Sequence, residues 1–326
     1  MAVCSRCGKR AVWRDASGGE ALCGEHFSAW YEETVRSAIA RYGMIPAGSR
    51  VAVGLSGGKD STVLLSVLVK LGLDAEFVAV TVDEGIAGYR DDTIRAAERL
   101  VERLGVEHRI VSFTDVCGKT LDELLAQAPE RACSVCGTLR RRALNAAARE
   151  AGATVIATGH CMDDEAQSVL MNYLRGDVTR VTENFRTNAG SLFIPRVKPL
   201  CRCTERATVA YGLVNRLLTV LPECPYTRFA LRAEVRSELG VLEYKYPGTM
   251  LSIVEGQERL LAMLGPAVGD VQEMGVCERC GEPTRNRLCA ACTLLERLEQ
   301  GGGGFFFCGI FPEKLSYDSS TNSRIR

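Results

Sequence analysis

The stretch RVAVGLSGGKDS, residues 50–61, decides how this chain is read. Its first six residues form a short, largely apolar run, the pattern of a strand buried on both faces of a sheet. From position 59 onward, KDSTVLLSVLVKL predicts a helix over 59–71. Between strand and helix lie Ser56, Gly57, Gly58, Lys59, Asp60 and Ser61. Two glycines let backbone N–H groups approach an anion at the helix N-terminus, the serines add hydroxyl donors, and Lys59 adds charge. Asp60 is placed to brace the loop or to take part in Mg²⁺ binding. The turn is not a Walker A loop, because Gly-Lys-Ser/Thr falls at another offset, nor is it G-x-G-x-x-G. Phosphate binding is the chemistry these residues support.

Outward from this turn, strands alternate with helices. Strands are expected over 76–82, 107–113 and 154–157, with helices over 91–104, 120–127, 140–151 and 163–174. Such alternation implies an α/β domain with a parallel sheet, right-handed crossovers and helices on both faces. Ligands in these sheets bind beyond the carboxyl ends of the strands. Upstream, an amphipathic helix over 27–43 ends at Gly43 and leads through Met44, Ile45 and Pro46 into the first strand.

Fifteen cysteines against three histidines set the second theme. No apolar run reaches the roughly 20 residues of a membrane span. The start MAVCSRCGKR lacks the apolar core of a secretion signal. A disulfide scaffold is therefore not expected, and the thiols read as ligands or reactive groups in a reducing cytoplasm. Cys4-x-x-Cys7 is followed after 15 residues by Cys23-x-x-His26, and Cys277-x-x-Cys280 after eight residues by Cys289-x-x-Cys292. Each set offers four soft ligands from two tight turns, as a closed structural Zn²⁺ site requires. Cys133-x-x-Cys136 has no second pair nearby and runs into Arg140, Arg141 and Arg142. Arginines and a helix start favour thiolate there, so a redox dithiol, a metal site or a cluster site are all open. Cys224, between Pro222 and Pro225, is a candidate third ligand.

SGGKDS after the first strand resembles the signature of the PP-loop ATP pyrophosphatases, which adenylate a carbonyl oxygen and release pyrophosphate. Residues 158–166, TGHCMDDEA, resemble their T-G-H-x-x-D-D-x-A block, although Cys161 stands where Asn is common. The order of motifs is zinc knuckle, SGGKDS, Cys133-Ser-Val-Cys136-Gly, TGHxxDDEA, Glu223-Cys224-Pro225-Tyr226 and a second knuckle. It is similar to that of the tRNA 2-thiouridine synthetases of the TtuA type and their wobble-uridine relatives in archaea and eukaryotes.

The resemblance implies a PP-loop fold of the adenine nucleotide alpha hydrolase-like kind and an ATP-dependent tRNA-uridine 2-sulfurtransferase. Residues 56–61 would hold ATP phosphates with Mg²⁺, and backbone near Val82 and Gly159 would frame the adenine. Arg140 matches a basic position near the nucleotide. Asp163 and Asp164 would organise magnesium or polar groups at the adenylation centre. Cys133, Cys136 and Cys224 match ligands of a [4Fe–4S] cluster with one open iron for incoming sulfur; a catalytic persulfide competes with that reading. Expected partners are tRNA and a thiocarboxylated ubiquitin-like carrier or sulfide, and a homodimer is expected. The alternatives are a PP-loop enzyme thiolating cytidine and a non-catalytic tRNA-binding scaffold.

Forty basic and 40 acidic side chains cancel, which does not announce nucleic-acid binding. Distribution says more. Residues 131–149 hold five arginines and no acid, and 196–236 hold eight basic residues against three acids. Residues 74–130 hold 13 acids against six bases. The expected organisation is a zinc module over 1–30, a linker helix over 31–48 and the PP-loop domain over 49–268. A second zinc module over 269–300 and a flexible tail over 301–326 complete it. Cys117, Cys161, Cys201, Cys203 and Cys308 receive no role.

Overall fold

The computed structural model describes residues 2–14, 19–126, 129–183, 193–218, 223–226, 231–264 and 275–299. In chain order these form β1 (Trp13–Arg14), β2 (Ala21–Leu22), α1 (Gly24–Arg41), β3 (Ser49–Gly54), α2 (Lys59–Lys70), β4 (Ala75–Asp83) and α3 (Arg90–Leu104). Next come β5 (Glu107–Ser112), α4 (Phe113–Cys117), α5 (Leu121–Leu124), α6 (Ala132–Glu150), β6 (Val155–Ala157), α7 (Met162–Leu174) and α8 (Val178–Glu183). The last are β7 (Arg196–Val197), α9 (Glu205–Val214), α10 (Leu231–Lys245), α11 (Thr249–Leu264), β8 (Gly275–Val276), β9 (Pro283–Thr284) and α12 (Ala290–Glu299). The expected tail over 301–326, with Cys308, lies outside the described residues, as does Pro222.

Five strands form one parallel sheet in the order β5-β4-β3-β6-β7. The chain moves from β3 to one edge, then crosses to β6 on the other side. The switch point of the sheet therefore lies between the carboxyl ends of β3 and β6, where such sheets open a ligand crevice. The two motif loops, 56–61 and 158–166, follow those two strands.

Alternation along β3 explains the two-sided burial. Val51 and Val53 join the core formed with Phe27, Tyr31, Leu64, Leu68 and Tyr211, while Ala52 joins Val80, Leu139, Ala143 and Ile156 on the opposite face. A smaller core of Met162, Ala166, Val235, Leu239, Met250 and Val254 unites α7, α10 and α11. Each cysteine set is welded to one face of the sheet. Trp13 stacks on Phe27 at 4.9 Å within the first core, and Cys277, Leu288, Cys292 and Leu295 belong to the second. The terminal segments thus share the central domain's cores instead of burying separate ones.

Three local expectations shift. Helix α6 begins at Ala132, eight residues before the expected start, so Cys133 and Cys136 lie within its first two turns. Helix α1 begins at Gly24, inside the first cysteine set, and ends at Arg41, so it covers only the first part of the expected 31–48 linker helix. Strand β7 was not expected; two residues, Arg196 and Val197, carry too little pattern to be seen in sequence.

Candidate active site

The loop after β3 is built on its own hydrogen bonds. Gly58 N–H donates to Ser56 Oγ at 3.3 Å, Ser56 N–H donates to Ser61 Oγ at 3.2 Å, and Ser61 Oγ donates to Gly58 O at 3.0 Å. Gly57 has φ +81°, and a Cβ there would meet Thr93 O at 2.0 Å. The first glycine of the motif is thus required both by its dihedral and by the approach of α3. The following glycine is the N-cap of α2 and brings no side chain to cap that helix's orphan N–H groups.

The second loop closes on the first. A Cβ at Gly159 would meet backbone atoms of Asp60 and Ser61 at 3.0 Å, so the two loops approach closely backbone to backbone at this point. Thr158 N–H donates to Val197 O at 3.0 Å, giving β7 a role in placing this block. Helix α7 starts here with a capping box in which Cys161 takes the N-cap position and its N–H donates to Asp164 Oδ2 at 3.1 Å. Burial, followed by the charges of Asp164 and Asp163, pushes the Cys161 thiol far up. The departure at position 161 is therefore a buried capping residue.

Four carboxylates and three cations meet at this junction. Lys59 Nζ bridges Asp60 and Glu205 at 2.8 Å each. Glu205 also pairs with Arg236, and its N–H donates to Asp163 Oδ2 at 2.7 Å. Arg232 lies 3.7 Å from Asp164. Burial raises both the Asp60 and Asp163 carboxyls above the ordinary carboxylate value, against hydrogen bonds that lower them. Asp60 Oδ1 is buried without a hydrogen-bond partner.

Cys133 and Cys136 stand three apart near the start of α6 and therefore share a face. Cys224 comes to them on the 223–226 segment. That segment is held by Tyr226, whose hydroxyl donates to Asp122 at 2.8 Å and whose carbonyl accepts from Cys133 Sγ at 3.8 Å. Cys224 and Tyr226 pack against the core that contains Cys136. The expected thiolate-favouring field is overturned in part. Burial outweighs the arginines, raising the Cys133 thiol and pushing Cys136 up to about 11.

Arg140 ties the thiols to the phosphate loop. Its Nη2 donates to Cys136 Sγ at 3.1 Å and its Nε to Glu84 Oε1 at 2.6 Å. Glu84 lies 2.7 Å from Arg90 Nε without hydrogen-bond alignment, and Arg90 donates to Ser56 O at 3.1 Å and Val82 O at 2.5 Å. The Val82 carbonyl is thus already engaged by Arg90. Glu84 and Arg90 were missed in the sequence; the available signal was an acid directly after a strand's carboxyl end, where ligands gather. Glu84→Gln leaves the buried Arg90 without a countercharge and is expected to cost about 3–5 kcal/mol. Urea unfolding measures this; an unchanged midpoint would refute the relay as a structural element.

The terminal cysteine sets assemble as expected. In Cys4, Cys7, Cys23 and His26, and in Cys277, Cys280, Cys289 and Cys292, the ligand atoms all lie within 4.8 Å of one another. Cys133, Cys136 and Cys224 do not form so tight a set. The C-terminal set is anchored on α6, where Arg149 and Asn145 donate to Glu282 at 3.1 and 3.0 Å. Cys117 Sγ donates to Phe113 O at 3.2 Å, Cys203 is buried, and burial pushes Cys201 up to about 12.

The family described as PP-loop domain matches residues 31–239. The tRNA 2-thiolation protein NcsA of Haloferax volcanii is 38% identical over 318 residues, covering 91% of this chain and 99% of that protein. The cytoplasmic tRNA 2-thiolation protein 1 of Caenorhabditis elegans is 38% identical over 307 residues, covering 91% of this chain and 80% of that protein. Among solved structures, the U34-tRNA thiolase NcsA of Methanococcus maripaludis with its [4Fe-4S] cluster superposes with a TM-score of 0.79 at 34% identity. That match covers 91% of this chain and 97% of the other.

Proposed function

Because the chain belongs to the PP-loop family of tRNA 2-thiolation proteins, we propose that it uses ATP to replace O2 of a tRNA uridine with sulfur. The observation that carries this reading is the junction itself. A phosphate loop, an acid-rich second loop and three cysteines meet at the carboxyl end of one sheet, linked through Arg140, Glu84 and Arg90. The relative of known structure is named for U34, and the wobble uridine is the target assigned here.

In this reading Ser56, Gly57, Gly58 and Ser61 receive the ATP phosphates with N–H and hydroxyl donors. Lys59 turns from Asp60 and Glu205 to the phosphates. Asp60, Asp163 and Asp164 hold Mg²⁺; the buried, unpartnered Asp60 Oδ1 suits a cation. Backbone near Val82 and Gly159 flanks the adenine, and Arg140 faces nucleotide and thiols together. Uridine O2 attacks the α-phosphate, pyrophosphate leaves, and sulfur at C2 then expels AMP.

Cys133, Cys136 and Cys224 fit a [4Fe–4S] cluster: three soft donors beside a guanidinium, in an apolar wall, suit an anionic cluster on three thiolates. Such a cluster supplies one iron not ligated by protein, at which sulfur can be presented. The sulfur source in this reading is a thiocarboxylated ubiquitin-like carrier or sulfide. We place the reaction in the cytoplasm, as the nematode relative's name has it. A homodimer belongs to the same reading; strongly exposed Tyr244 and Met263 on α10 and α11 offer apolar surface for it.

Both four-ligand sets fit closed tetrahedral Zn²⁺. Metal analysis is expected to find two zinc ions per chain, one for each set. Cys289→Ser should remove one and lower the melting temperature, because α12 and its partners on α6 lose their staple. Full zinc content and unchanged melting would refute this. The function is tested by mass spectrometry of tRNA from a deletion strain. Loss of 2-thiouridine at the wobble position supports the reading, whereas intact wobble thiolation overturns it.

A further inference from the structure

A cleft of about 170 Å³ lies beside the phosphate loop, bordered by Gly57, Lys59 and Thr62. Arg99 and Arg103 of α3 and Arg216 after α9 line the same cleft. The two α3 arginines are four apart and share one helical face. All three arginines are exposed, and no acid pairs with any of them among the described residues. The volume is below the roughly 300–1,000 Å³ typical of pockets for whole small molecules, and suits a single phosphate group.

Arg216 carries a second, independent sign. Helix α9 ends in a Schellman motif: Leu217 N–H donates to Gly212 O at 2.8 Å and Arg216 N–H to Leu213 O at 3.2 Å. Arg216 takes the left-handed position, with φ +54°, the one described non-glycine residue with positive φ. Glycine fills that position at lower conformational cost, so this chain places a long cation where the backbone favours glycine. Arg99 and Arg103 lie within residues 74–130, where 13 acids face six bases. The cleft is a local reversal of sign within an acidic segment.

We propose that Arg99, Arg103 and Arg216 bind a backbone phosphate of the RNA substrate and register it against the phosphate loop. This rests on the tRNA reading above. A polyanion favours the open rim, whereas a released pyrophosphate shares the same chemistry and is the competing occupant.

The test compares wild type with Arg99→Gln/Arg103→Gln/Arg216→Gln, using a tRNA transcript at several salt concentrations, and ATP and pyrophosphate binding in parallel. An Arg109→Gln variant on β5 controls for loss of an arginine away from the cleft, and thermal melts control for folding. Each phosphate contact contributes about 0.7–0.9 to the slope of log affinity against log salt. The triple variant loses one phosphate contact, so it should lose about 0.7–0.9 of slope and roughly tenfold or more of tRNA affinity at low salt, with ATP and pyrophosphate binding unchanged. Unchanged tRNA affinity and slope in the triple variant would overturn the proposal alone. Lost pyrophosphate binding with intact tRNA binding would also overturn it, assigning the cleft to the leaving group. Failure of the wild type to bind tRNA at all would overturn both this proposal and the function beneath it.

Discussion

Cys224→Ala is expected to abolish tRNA thiolation while leaving the fold, tRNA binding and ATP–pyrophosphate exchange intact. The residue is half-buried on the short 223–226 segment, at the margin of the core that holds Cys136. Removing one sulfur there costs far less than opening a cavity in the central sheet, for which large-to-small changes run to about 2–5 kcal/mol. The residues proposed for adenylation lie in the loop after β3, at the start of α2 and on α7, and the segment itself stays pinned by the Tyr226–Asp122 bond. Chemistry should therefore stop after activation of O2, with AMP released by water instead of sulfur. Iron and sulfide measured after anaerobic purification should fall in the variant. Undiminished thiolation by Cys224→Ala would remove this cysteine from the mechanism, and an iron-free wild type that thiolates fully would favour a persulfide.

Gly57→Ala should be the most damaging single methyl in the phosphate loop. At φ +81° an L side chain is strained by about 1–3 kcal/mol. Its Cβ would also stand 2.0 Å from Thr93 O, a backbone atom of a residue packed inside α3. Loop and helix must part, and displacement of the phosphate donors by about 1 Å can cost on the order of 10²-fold in rate. Gly58→Ala is the graded comparison: its φ is −72°, and the nearest contact is Ser56 Oγ at 3.3 Å. AMP formation with saturating tRNA should rank wild type, then Gly58→Ala, then Gly57→Ala. Equal rates for the two variants would contradict the geometric role given to Gly57.

These expectations show what was legible in the residues and what was not. Strands over 50–55 and 76–82 were readable because continuous apolar runs reflect burial on both faces. The zinc-type sets were readable because their spacing is local. The start of α6 carried a signal that Gly137 obscured: Ala132, Val135, Cys136 and Leu139 recur at helical spacing and pack together in the core, but the glycine interrupts the run of helix formers before Arg140. The Arg140–Glu84 pair joins residues 56 apart in the chain, which no local pattern encodes. Segment charge counting located basic stretches near the cysteines, yet averaged away Arg99 and Arg103 among the acids of their own segment. Cys161 looked like a spare thiol until the α7 capping box accounted for it.

The central claim is ATP-driven exchange of uridine O2 for sulfur at this junction. The most direct measurement incubates anaerobically reconstituted protein with ATP, sulfide and an unmodified tRNA transcript whose uridine O2 is labelled with heavy oxygen, then reads nucleosides and AMP by mass spectrometry. The predicted result is sulfur in place of the label at the wobble uridine and the heavy oxygen in AMP. Thiolation with AMP free of label, or AMP formed with no thiolated uridine, would contradict the account.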